Sequence, residues 1–520
     1  QGAGCTTFAQ IATPTGTSFS DTGLVASTSY SYQVRAADAA GNLSAYSAVA
    51  SATTSNTPPG LGQWSAVMNW PIVAVHAHLL PTGDVLAWSD YLNNGGAQIW
   101  RPATNTFTST SFSLVNLFCA GHAYMADGRL LITGGIVGSQ DDLGPRESTI
   151  FSPLTETWSQ GGLMAMGRYY PTTTTLPDGR LLVQGGTTTC GSCIADIPEI
   201  YDPVSNSWTQ LASTARMAFK YYPHTFVLPD GRVLVAGQDD KAISSQVLDL
   251  TTQAWTTVDS TVLDGHSSAM YLPGKIIKAG TATVDNEGLP SAATTYVLDM
   301  TQPSPAWQAT SPMAFPRSYL NLTILPDGQV LATGGGTTTD LRNFSTAVYE
   351  AEMWSPTTKT WTTMSRAQIP RLYHSTALLL PDARVLVAGG GRNGCVHPCP
   401  VPSPGDESNA EIFSPPYLFN GPRPAISSAP TTIQYSTSFS VATPDAARIA
   451  SVSLIALGSV THSFNENQRF VPLTFEPGSG SLNVHSPSSA YTAPPGPYML
   501  FLVDNNGVPS VAAMMSVLAR

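Results

Sequence analysis

Short apolar runs separated by tight turns recur along most of the chain. Each turn contains Pro-Asp-Gly or a close variant, and an apolar run follows it, as in Leu176-Pro-Asp-Gly-Arg-Leu-Leu-Val. Because Gly accepts a positive φ, this turn predicts a β-hairpin, and the apolar run predicts a buried strand. The residues at the turn position are Gly83, Gly128, Gly179, Gly231, Gly274, Gly328 and Ala383.

The spacing of these turns indicates a repeat of about fifty residues, the period of a kelch-type β-propeller. The strand after the turn often ends in Gly-Gly, for example at 134–135 and 185–186, where strands crowd near a central axis. A second phrase, such as Ile200-Tyr-Asp-Pro followed by Trp208, predicts an outer hairpin whose Trp packs between blades. We therefore predict an all-β fold with a seven-bladed kelch-type propeller over residues 58–415.

The segments on either side of the repeats predict two smaller β-units. Residues 1–57 contain Tyr30-Ser-Tyr-Gln-Val-Arg and look like the last strands of a fibronectin type III module, roughly half of such a sandwich. The sequence is therefore expected to begin inside a longer precursor. Residues 416–520 alternate apolar and polar positions, as in Tyr498-Met-Leu-Phe-Leu-Val, and predict an immunoglobulin-like β-sandwich.

Composition excludes some function classes. Only 11% of the 520 residues are charged, and the formal net charge is −11. An acidic balance argues against nucleic-acid binding and against docking on anionic lipid, and no apolar run is long enough to predict insertion into a membrane. Low charge favours a secreted, extracellular protein, and we expect a monomer. The start at Gln1 lacks the regions of a signal peptide, so any such peptide is expected to be already gone.

Six cysteines refine this picture. The close pairs Cys190/Cys193 and Cys395/Cys399 predict local disulfides, which are typical of an oxidising compartment. Cys5 and Cys119 are left unassigned, and the partner of Cys5 is expected to be lost with the rest of the precursor. One interpretation of Cys119 is a small buried hydrophobe.

Candidate chemistry clusters just upstream of the predicted innermost strands. Because the repeats share one register, these segments are expected at one level around the axis, where Cys119, Tyr170, Tyr373 and His374 could face one point. The alternative is that the aromatic side chains only fill the tunnel. The segments are Phe118-Cys119-Ala120-Gly121-His122, Arg168-Tyr169-Tyr170-Pro171, Lys220-Tyr221-Tyr222-Pro223-His224 and Arg371-Leu372-Tyr373-His374-Ser375.

These motifs resemble those of galactose oxidase and its relatives, the copper radical oxidases that also include the glyoxal oxidases. Phe118-Cys119 is similar to the family's Phe-Cys, Arg168-Tyr169-Tyr170 to its Arg-x-Tyr, and Tyr373-His374-Ser375 to its Tyr-His-Ser. Thr461-His462, upstream of Gln468-Arg469, resembles the segment that carries a second histidine. The resemblance covers about residues 60 to 520.

The resemblance implies one copper ion bound by Tyr170, Tyr373, His374 and His462, and a thioether bond between Cys119 and Tyr170. Mixed nitrogen and oxygen donors suit copper. Oxidising an alcohol removes two electrons and copper accepts only one, so the resemblance implies that the thioether-linked tyrosine, as a radical, accepts the other, with Tyr373 as general base. The implied substrate is a small alcohol, sugar or aldehyde, and O2 is reduced to hydrogen peroxide. Neither NAD nor flavin is implied.

Other residues are weaker candidates. His122, Tyr222 and His224 are candidates for binding substrate, and Lys220 for lining the same pocket. The resemblance also implies that Cys395–Cys399 is a family disulfide.

For the remaining histidines the sequence predicts mostly structural roles. His76 and His78 lie on one face of a predicted strand; they are a candidate metal-binding pair, although a packed or pocket-lining role is favoured. His266 and His397 are predicted at the surface or in loops.

Two departures from the family bear on the substrate. Galactose oxidase stacks a tryptophan on the thioether, but the corresponding loop, Thr187 to Cys193, contains none, and the segment 279–287 lacks an evident sugar-binding arginine. We therefore predict an oxidase of primary alcohols, galactose-type or other, with aldehyde oxidation as the alternative. Two rival hypotheses are a non-catalytic, glycan-binding kelch propeller and a hydrolase or lyase that uses carboxylates. No acidic pair recurs near the inner strands to support the second.

Overall fold

The computed structural model of the protein describes residues 7–14, 16, 19, 21, 28–38, 40–54, 59–89, 96–111, 115–137, 143–239, 241–281, 288–341, 343–391 and 405–519. Cys5, Cys395, His397 and Cys399 lie outside the described residues. Helical structure in these ranges is confined to short 3-10 turns at Pro59–Leu61, Ser213–Ala215, Phe344–Thr346, Pro416–Phe419 and Ala446–Arg448.

The rest of the regular structure consists of strands, which confirms the predicted all-β class. In chain order the described strands are β1 Ser29–Tyr32, β2 Ala50–Thr53, β3 Gln63–Trp64, β4 Met68–Asn69, β5 His76–Leu79, β6 Val85–Trp88, β7 Ala97–Arg101, β8 Thr106–Thr110, β9 Gly121–Tyr124, β10 Leu130–Thr133, β11 Ser148–Ser152, β12 Thr157–Gln160, β13 Thr172–Thr175, β14 Leu181–Gln184, β15 Glu199–Asp202, β16 Ser207–Gln210, β17 Thr225–Val227, β18 Val233–Val235, β19 Ser245–Asp249, β20 Ala254–Asp259, β21 Ser267–Leu272, β22 Lys275–Ala279, β23 Thr295–Asp299, β24 Gln308–Ala309, β25 Asn321–Ile324, β26 Val330–Thr333, β27 Glu350–Ser355, β28 Thr360–Arg366, β29 Ser375–Leu379, β30 Val385–Gly389, β31 Asn409–Ser414, β32 Thr432–Ile433, β33 Ser438–Ala442, β34 Ile449–Ala456, β35 Ser459–Thr461, β36 Phe464–Asn465, β37 Phe470–Leu473, β38 Phe475–Pro477, β39 Ser481–His485, β40 Gly496–Asp504 and β41 Ala513–Val517.

Consecutive strands form antiparallel sheets of four: β9–β12, β13–β16, β17–β20, β21–β24 and β25–β28. Two further sheets follow this plan and add strands from elsewhere: β5–β8 gain β35 and β36, and β29–β31 gain β3 and β4. Innermost strands of neighbouring sheets contact each other, among them β9 with β13, β25 with β29, and β29 with β5. This arrangement is the repeat predicted from the turns; the count of seven blades stays a prediction.

The turn and tryptophan positions behave as the sequence indicates. At the turn before β14, Gly179 has a φ of 85°, and at the last such turn Ala383 adopts a φ of 65° without being glycine. The outer-hairpin tryptophans donate hydrogen bonds to the preceding sheet: Trp158 Nε1 to Thr110 Oγ1 at 2.8 Å, and Trp361 Nε1 to Thr295 Oγ1 at 3.0 Å. They therefore pack between blades, as predicted.

The C-terminal strands form two sheets, in the orders β32-β41-β40-β34-β37 and β33-β39-β38. Their inward side chains, such as Leu454, Leu482 and Leu500, are fully buried in one hydrophobic core. The predicted C-terminal sandwich is therefore present. At the other end of the chain, β1 and β2 pair antiparallel. The fibronectin assignment and the boundaries at 57/58 and 415/416 stay predictions.

A buried arginine–glutamate pair recurs inside several sheets. Each arginine stands just before an innermost strand, donates to the carbonyl of the first glycine of the next Gly-Gly, and pairs with a glutamate on the third strand of the same sheet. Since the glutamates also accept backbone N–H groups, each pair fastens the inner edge of a blade to its middle. The pairs are Arg168–Glu199, Arg317–Glu352 and Arg371–Glu411.

Removing the charge of one such glutamate should destabilise the fold. In Glu352→Gln we expect a loss of about 3 kcal/mol in the free energy of unfolding, because Arg317 would remain buried without its counter-charge. Asp178→Asn is the matched control, since its pair with Arg180 is half exposed and should contribute less than about 0.5 kcal/mol. Denaturant unfolding measures both; equal small losses would contradict the structural role.

Candidate metal centre

Residues just before the innermost strands adopt an unusual backbone conformation. Cys119, Tyr170, Tyr222 and His374 have φ values of 58°, 64°, 36° and 67°. Side-chain-bearing residues rarely adopt this left-handed region, and such strain tends to cluster at functional sites. The backbone of one blade joins the next here: Tyr170 N donates to Cys119 O and Tyr222 N to Tyr170 O, both at 2.9 Å. The shared register thus turns these side chains toward one point.

The side chains meet at that point. The hydroxyls of Tyr170 and Tyr373 are in hydrogen-bonding contact. His462 Nε2 lies 3.1 Å from Tyr170 Oη and 3.6 Å from Cys119 Sγ. Cys119 Sγ and one ring nitrogen each of His374 and His462 all lie within 4.8 Å of one another. The structure therefore brings together the four residues grouped by register and His462, which the family resemblance added, although they are up to 343 positions apart.

His462 reaches the centre from the C-terminal part of the chain. Strand β35, which ends at Thr461, leaves the sandwich and pairs antiparallel with β5, so Thr461 lies opposite His76. The chain then turns through His462 and Ser463, with φ values of 45° and 65°, before β36. This excursion inserts the His462 imidazole, fully buried, into the inner end of the propeller.

Hydrogen bonds fix the tautomers of both histidines. His374 Nδ1 donates to the carbonyl of Gly391 at 2.7 Å, which leaves the lone pair on Nε2. Thr461 Oγ1 donates to Val75 O at 3.0 Å and therefore accepts from His462 Nδ1 at 2.6 Å, which leaves the lone pair of His462 on Nε2 as well. Metal-binding histidines are commonly oriented in this way through the other ring nitrogen.

The electrostatics of the centre suit a cation. Burial raises the pKa of the Tyr170 hydroxyl well above its ordinary value, and Cys119, Tyr169 and Tyr373 add to this. Burial and then His374 lower the pKa of His462 well below its ordinary value. Neutral imidazoles are the form that binds metals, and a tyrosinate here would need a positive ion to balance it. Two phenols and two imidazoles fit a copper ion.

Comparison with known proteins finds oxidases that are similar to this chain. A family model described as "Galactose oxidase-like, Early set domain" matches residues 423–517, and one described as "Glyoxal oxidase N-terminus" matches residues 267–417. Galactose oxidase of Gibberella zeae is 29% identical over 507 residues, covering 88% of this chain and 71% of the relative. The aldehyde oxidase GLOX of Vitis pseudoreticulata is 29% identical over 450 residues, covering 77% and 81%.

A solved structure extends the likeness to three dimensions. It is titled as a fungal alcohol oxidase of the AA5 family in complex with copper, and it aligns with a TM-score of 0.78 and 26% identity over 88% of this chain and 100% of its own. The chain is similar to the galactose oxidase and glyoxal oxidase-like family over most of its length. These similarities support a copper oxidase, and the oxidase relatives imply a small-molecule substrate and O2.

The three residues predicted as weaker candidates for binding substrate are all buried. His122, Tyr222 and His224 have no exposed surface. Tyr222 packs its ring 4.7 Å from that of His462 and donates to Ala120 O, while His224 bonds Ser268 Oγ at 3.0 Å. Their positions give no direct support to a contact with substrate, which stays a prediction.

The remaining histidines are placed as follows. His76 and His78 are buried and stack on Trp88, which agrees with the packed interpretation. The sequence predicts His266 at the surface or in a loop: it stands in the loop just before β21, but the surface alternative is wrong, because the residue is 2% exposed and its Nε2 lies 3.3 Å from Asp239 Oδ1. The polar composition of this loop gave no sign that His266 is buried.

The predicted local disulfide Cys190–Cys193 is present. It closes the loop where galactose oxidase is expected to carry its stacking tryptophan. Tyrosines instead surround Tyr170: the ring centres of Tyr169, Tyr221 and Tyr222 lie 4.5, 4.6 and 4.9 Å from its own. Sequence reasoning placed Tyr221 near the centre but gave it no role.

Removing His462 should weaken copper binding. In His462→Ala we expect the copper affinity to fall roughly 100-fold or more, since the substitution removes a predicted copper ligand itself and not a residue that only orients a ligand. His485→Ala, an exposed histidine of the same C-terminal unit, is the control and should keep the native affinity. Copper titration followed by calorimetry measures both, and unchanged binding in His462→Ala would exclude this residue as a ligand.

Among the described residues, no helix combines the length and the apolar character needed to cross a bilayer. Secretion and a monomeric state stay predictions.

Proposed function

We propose that the protein is a copper radical oxidase that converts primary alcohols to aldehydes and reduces O2 to hydrogen peroxide. The observation that carries the proposal is the meeting of the Tyr170 and Tyr373 hydroxyls beside His462 Nε2 and Cys119. A glycan-binding propeller would need no such buried group of phenols, imidazoles and a thiol. When bound by Tyr170, Tyr373, His374 and His462, copper supplies a one-electron redox partner and a Lewis acid.

We infer a thioether between Cys119 and the carbon of Tyr170 next to its hydroxyl. Its formation breaks the S–H bond and one aromatic C–H bond and makes one C–S bond. The two protons and two electrons released pass to O2, which becomes hydrogen peroxide. Sulfur attached to the ring spreads an unpaired electron and makes Tyr170 easier to oxidise, so Tyr170 can store one oxidising equivalent.

Tyr373 and Tyr170 have different roles in turnover. Tyr373 Oη, ionised as a tyrosinate, accepts the proton of the substrate hydroxyl, a role suited to its position beside the Tyr170 hydroxyl. The Tyr170 radical takes a hydrogen atom from the carbinol carbon, and copper held by these residues would supply the acceptor for the remaining electron, so that the substrate loses two electrons and two protons. One O2 then accepts both electrons and both protons. Burial of Tyr170, which is 7% exposed, shields the radical from water.

The surroundings of Tyr170 favour substrates with a flat or ring-shaped body. Tyr221 and Tyr373 are half-buried, so the approach to the centre is lined by aromatic faces. Lys220 Nζ lies 4.2 Å from the centre of the Tyr221 ring. Aromatic faces pack against sugar and aromatic rings. We therefore place aryl and sugar primary alcohols first, and the GLOX relative makes aldehyde oxidation to carboxylic acid the second candidate.

A screen of peroxide release tests this function. The copper-loaded protein would be offered benzyl alcohol, galactose, glycerol, methylglyoxal and glyoxal, with peroxide measured by a coupled peroxidase. We expect the highest kcat/KM with a primary alcohol. Higher values with the dicarbonyl compounds would assign the aldehyde alternative, and no peroxide with any compound would overturn the oxidase proposal.

A further inference from the structure

A chain of buried polar side chains lies behind the centre and has no role in the function proposed above. His76 Nε2 accepts the backbone N–H of Cys119 at 3.0 Å, and His76 Nδ1 lies 3.2 Å from His122 Nε2. His122 Nδ1 lies 2.7 Å from Ser459 Oγ, which lies 2.8 Å from His78 Nδ1. All these side chains are fully buried. We call them the histidine relay.

The Cys119 amide sets the direction of the hydrogen bonds from His76 through His122 to Ser459. A backbone amide can only donate, so His76 Nε2 accepts and the proton of a neutral His76 sits on Nδ1. His76 Nδ1 therefore donates to His122 Nε2. His122 Nδ1 in turn donates to Ser459 Oγ, which also contacts His78 Nδ1. The amide of Cys119 thus sets the tautomers of His76 and His122.

The relay ends in a backbone amide, which limits what it can do. An amide N–H does not release its proton under ordinary conditions, so the relay cannot conduct protons to the centre. Its groups instead hold geometry. Ser459 stands in β35, three residues before His462, and Trp88 stacks on the His76 ring at 4.9 Å between ring centres. Glu466 adds a second tie, accepting the N–H groups of His122 and Thr173 at 3.2 and 2.7 Å.

We propose that His76 is a positioning residue for the crosslink: by holding the Cys119 amide, it keeps Cys119 in the left-handed conformation that presents Sγ to Tyr170. Without an acceptor at position 76, the buried Cys119 N–H loses its hydrogen bond. That hydrogen bond then no longer stabilises the strained backbone conformation of Cys119, whose φ is 58°. Relaxation of that φ would turn Cβ and Sγ away. This inference rests on the proposed function, since it concerns how the Cys119–Tyr170 bond forms.

Two substitutions that differ by one methylene test it. The amide oxygen of His76→Gln is long enough to reach the Cys119 N–H in place of Nε2, whereas that of His76→Asn is too short and reaches only the position of Nδ1. Full-length, copper-depleted protein would receive Cu²⁺ in air. The intact mass, after reduction, would be followed over time for the loss of two hydrogen atoms. We expect His76→Asn to form the crosslink about tenfold more slowly than the native chain, and His76→Gln to recover most of the rate.

His78→Asn is the matched control, because His78 lies in the same strand and stacks on the same Trp88 but contacts Ser459 Oγ, whereas it is His76 that accepts the Cys119 N–H. It should lower the melting temperature to a similar extent while keeping the native crosslinking rate. Equal rates in His76→Asn and His76→Gln, or an equal loss in His78→Asn, would overturn the positioning role. A native chain that never loses the two hydrogen atoms would instead refute the proposed function.

Discussion

Cys119→Ser should abolish almost all turnover while leaving the proposed copper ligands in place. Serine keeps the size and burial of the side chain but cannot form the proposed thioether, so Tyr170 would be harder to oxidise and would lose its proposed role as a one-electron store. We expect kcat for the best alcohol to fall about 1,000-fold or more, equivalent to at least ~4 kcal/mol of activation free energy. Peroxide release and the radical absorption band measure the effect.

Copper binding provides the internal control for this variant. Tyr170, Tyr373, His374 and His462 remain, so copper affinity should change little, and the melting temperature of the copper-loaded protein should stay close to that of the native chain. Full peroxide production by Cys119→Ser would eliminate the radical mechanism. A loss of copper binding would show that the sulfur belongs to the ligand set, as its 3.6 Å approach to His462 Nε2 allows.

Tyr373→Phe should have the second largest effect. The substitution removes the oxygen that contacts the Tyr170 hydroxyl and that we propose as the base for the substrate hydroxyl. We expect kcat to fall on the order of 100- to 10,000-fold, the range for loss of a general base. The crosslink should still form, because neither Cys119 nor Tyr170 is altered. Steady-state kinetics and the intact mass measure the two parts of this prediction.

Tyr417→Phe is the matched control. Its hydroxyl donates to Ala383 O at 2.6 Å in a buried position at the turn end of the β29–β30 hairpin, and His374 stands at the other end. Losing this hydroxyl should cost about 1 kcal/mol of stability and leave kcat unchanged. If Tyr373→Phe behaves like Tyr417→Phe, Tyr373 is not the base.

Much of the fold was predictable because it repeats. The turn residue recurs because the hairpin needs a positive φ there, and the tryptophan recurs because it packs against the preceding sheet. The structure of one repeat therefore predicts that of the others. The grouping of Cys119, Tyr170, Tyr373 and His374 followed from the same register. His462 could be added only through resemblance, because its approach depends on β35 leaving the sandwich to pair with β5, and no periodic pattern marks that excursion.

Residues whose roles depend on long-range contacts were harder to predict. His266 looked like a surface residue, and nothing local indicated that it would be buried against Tyr319. His76 and His78 were correctly placed on one strand face, but the relay needs Ser459, over 380 positions away, to complete it. Glu466 was not singled out, although its burial and two backbone N–H contacts tie β9 to β13.

Peptide mapping of the copper- and oxygen-treated protein after disulfide reduction tests the central claim most directly. We predict that the peptides containing Cys119 and Tyr170 are recovered as one covalent species, lighter than their sum by two hydrogen atoms, and that Cys119 resists alkylation. Separate peptides with an alkylated Cys119, from protein that still releases peroxide at its full rate, would contradict it.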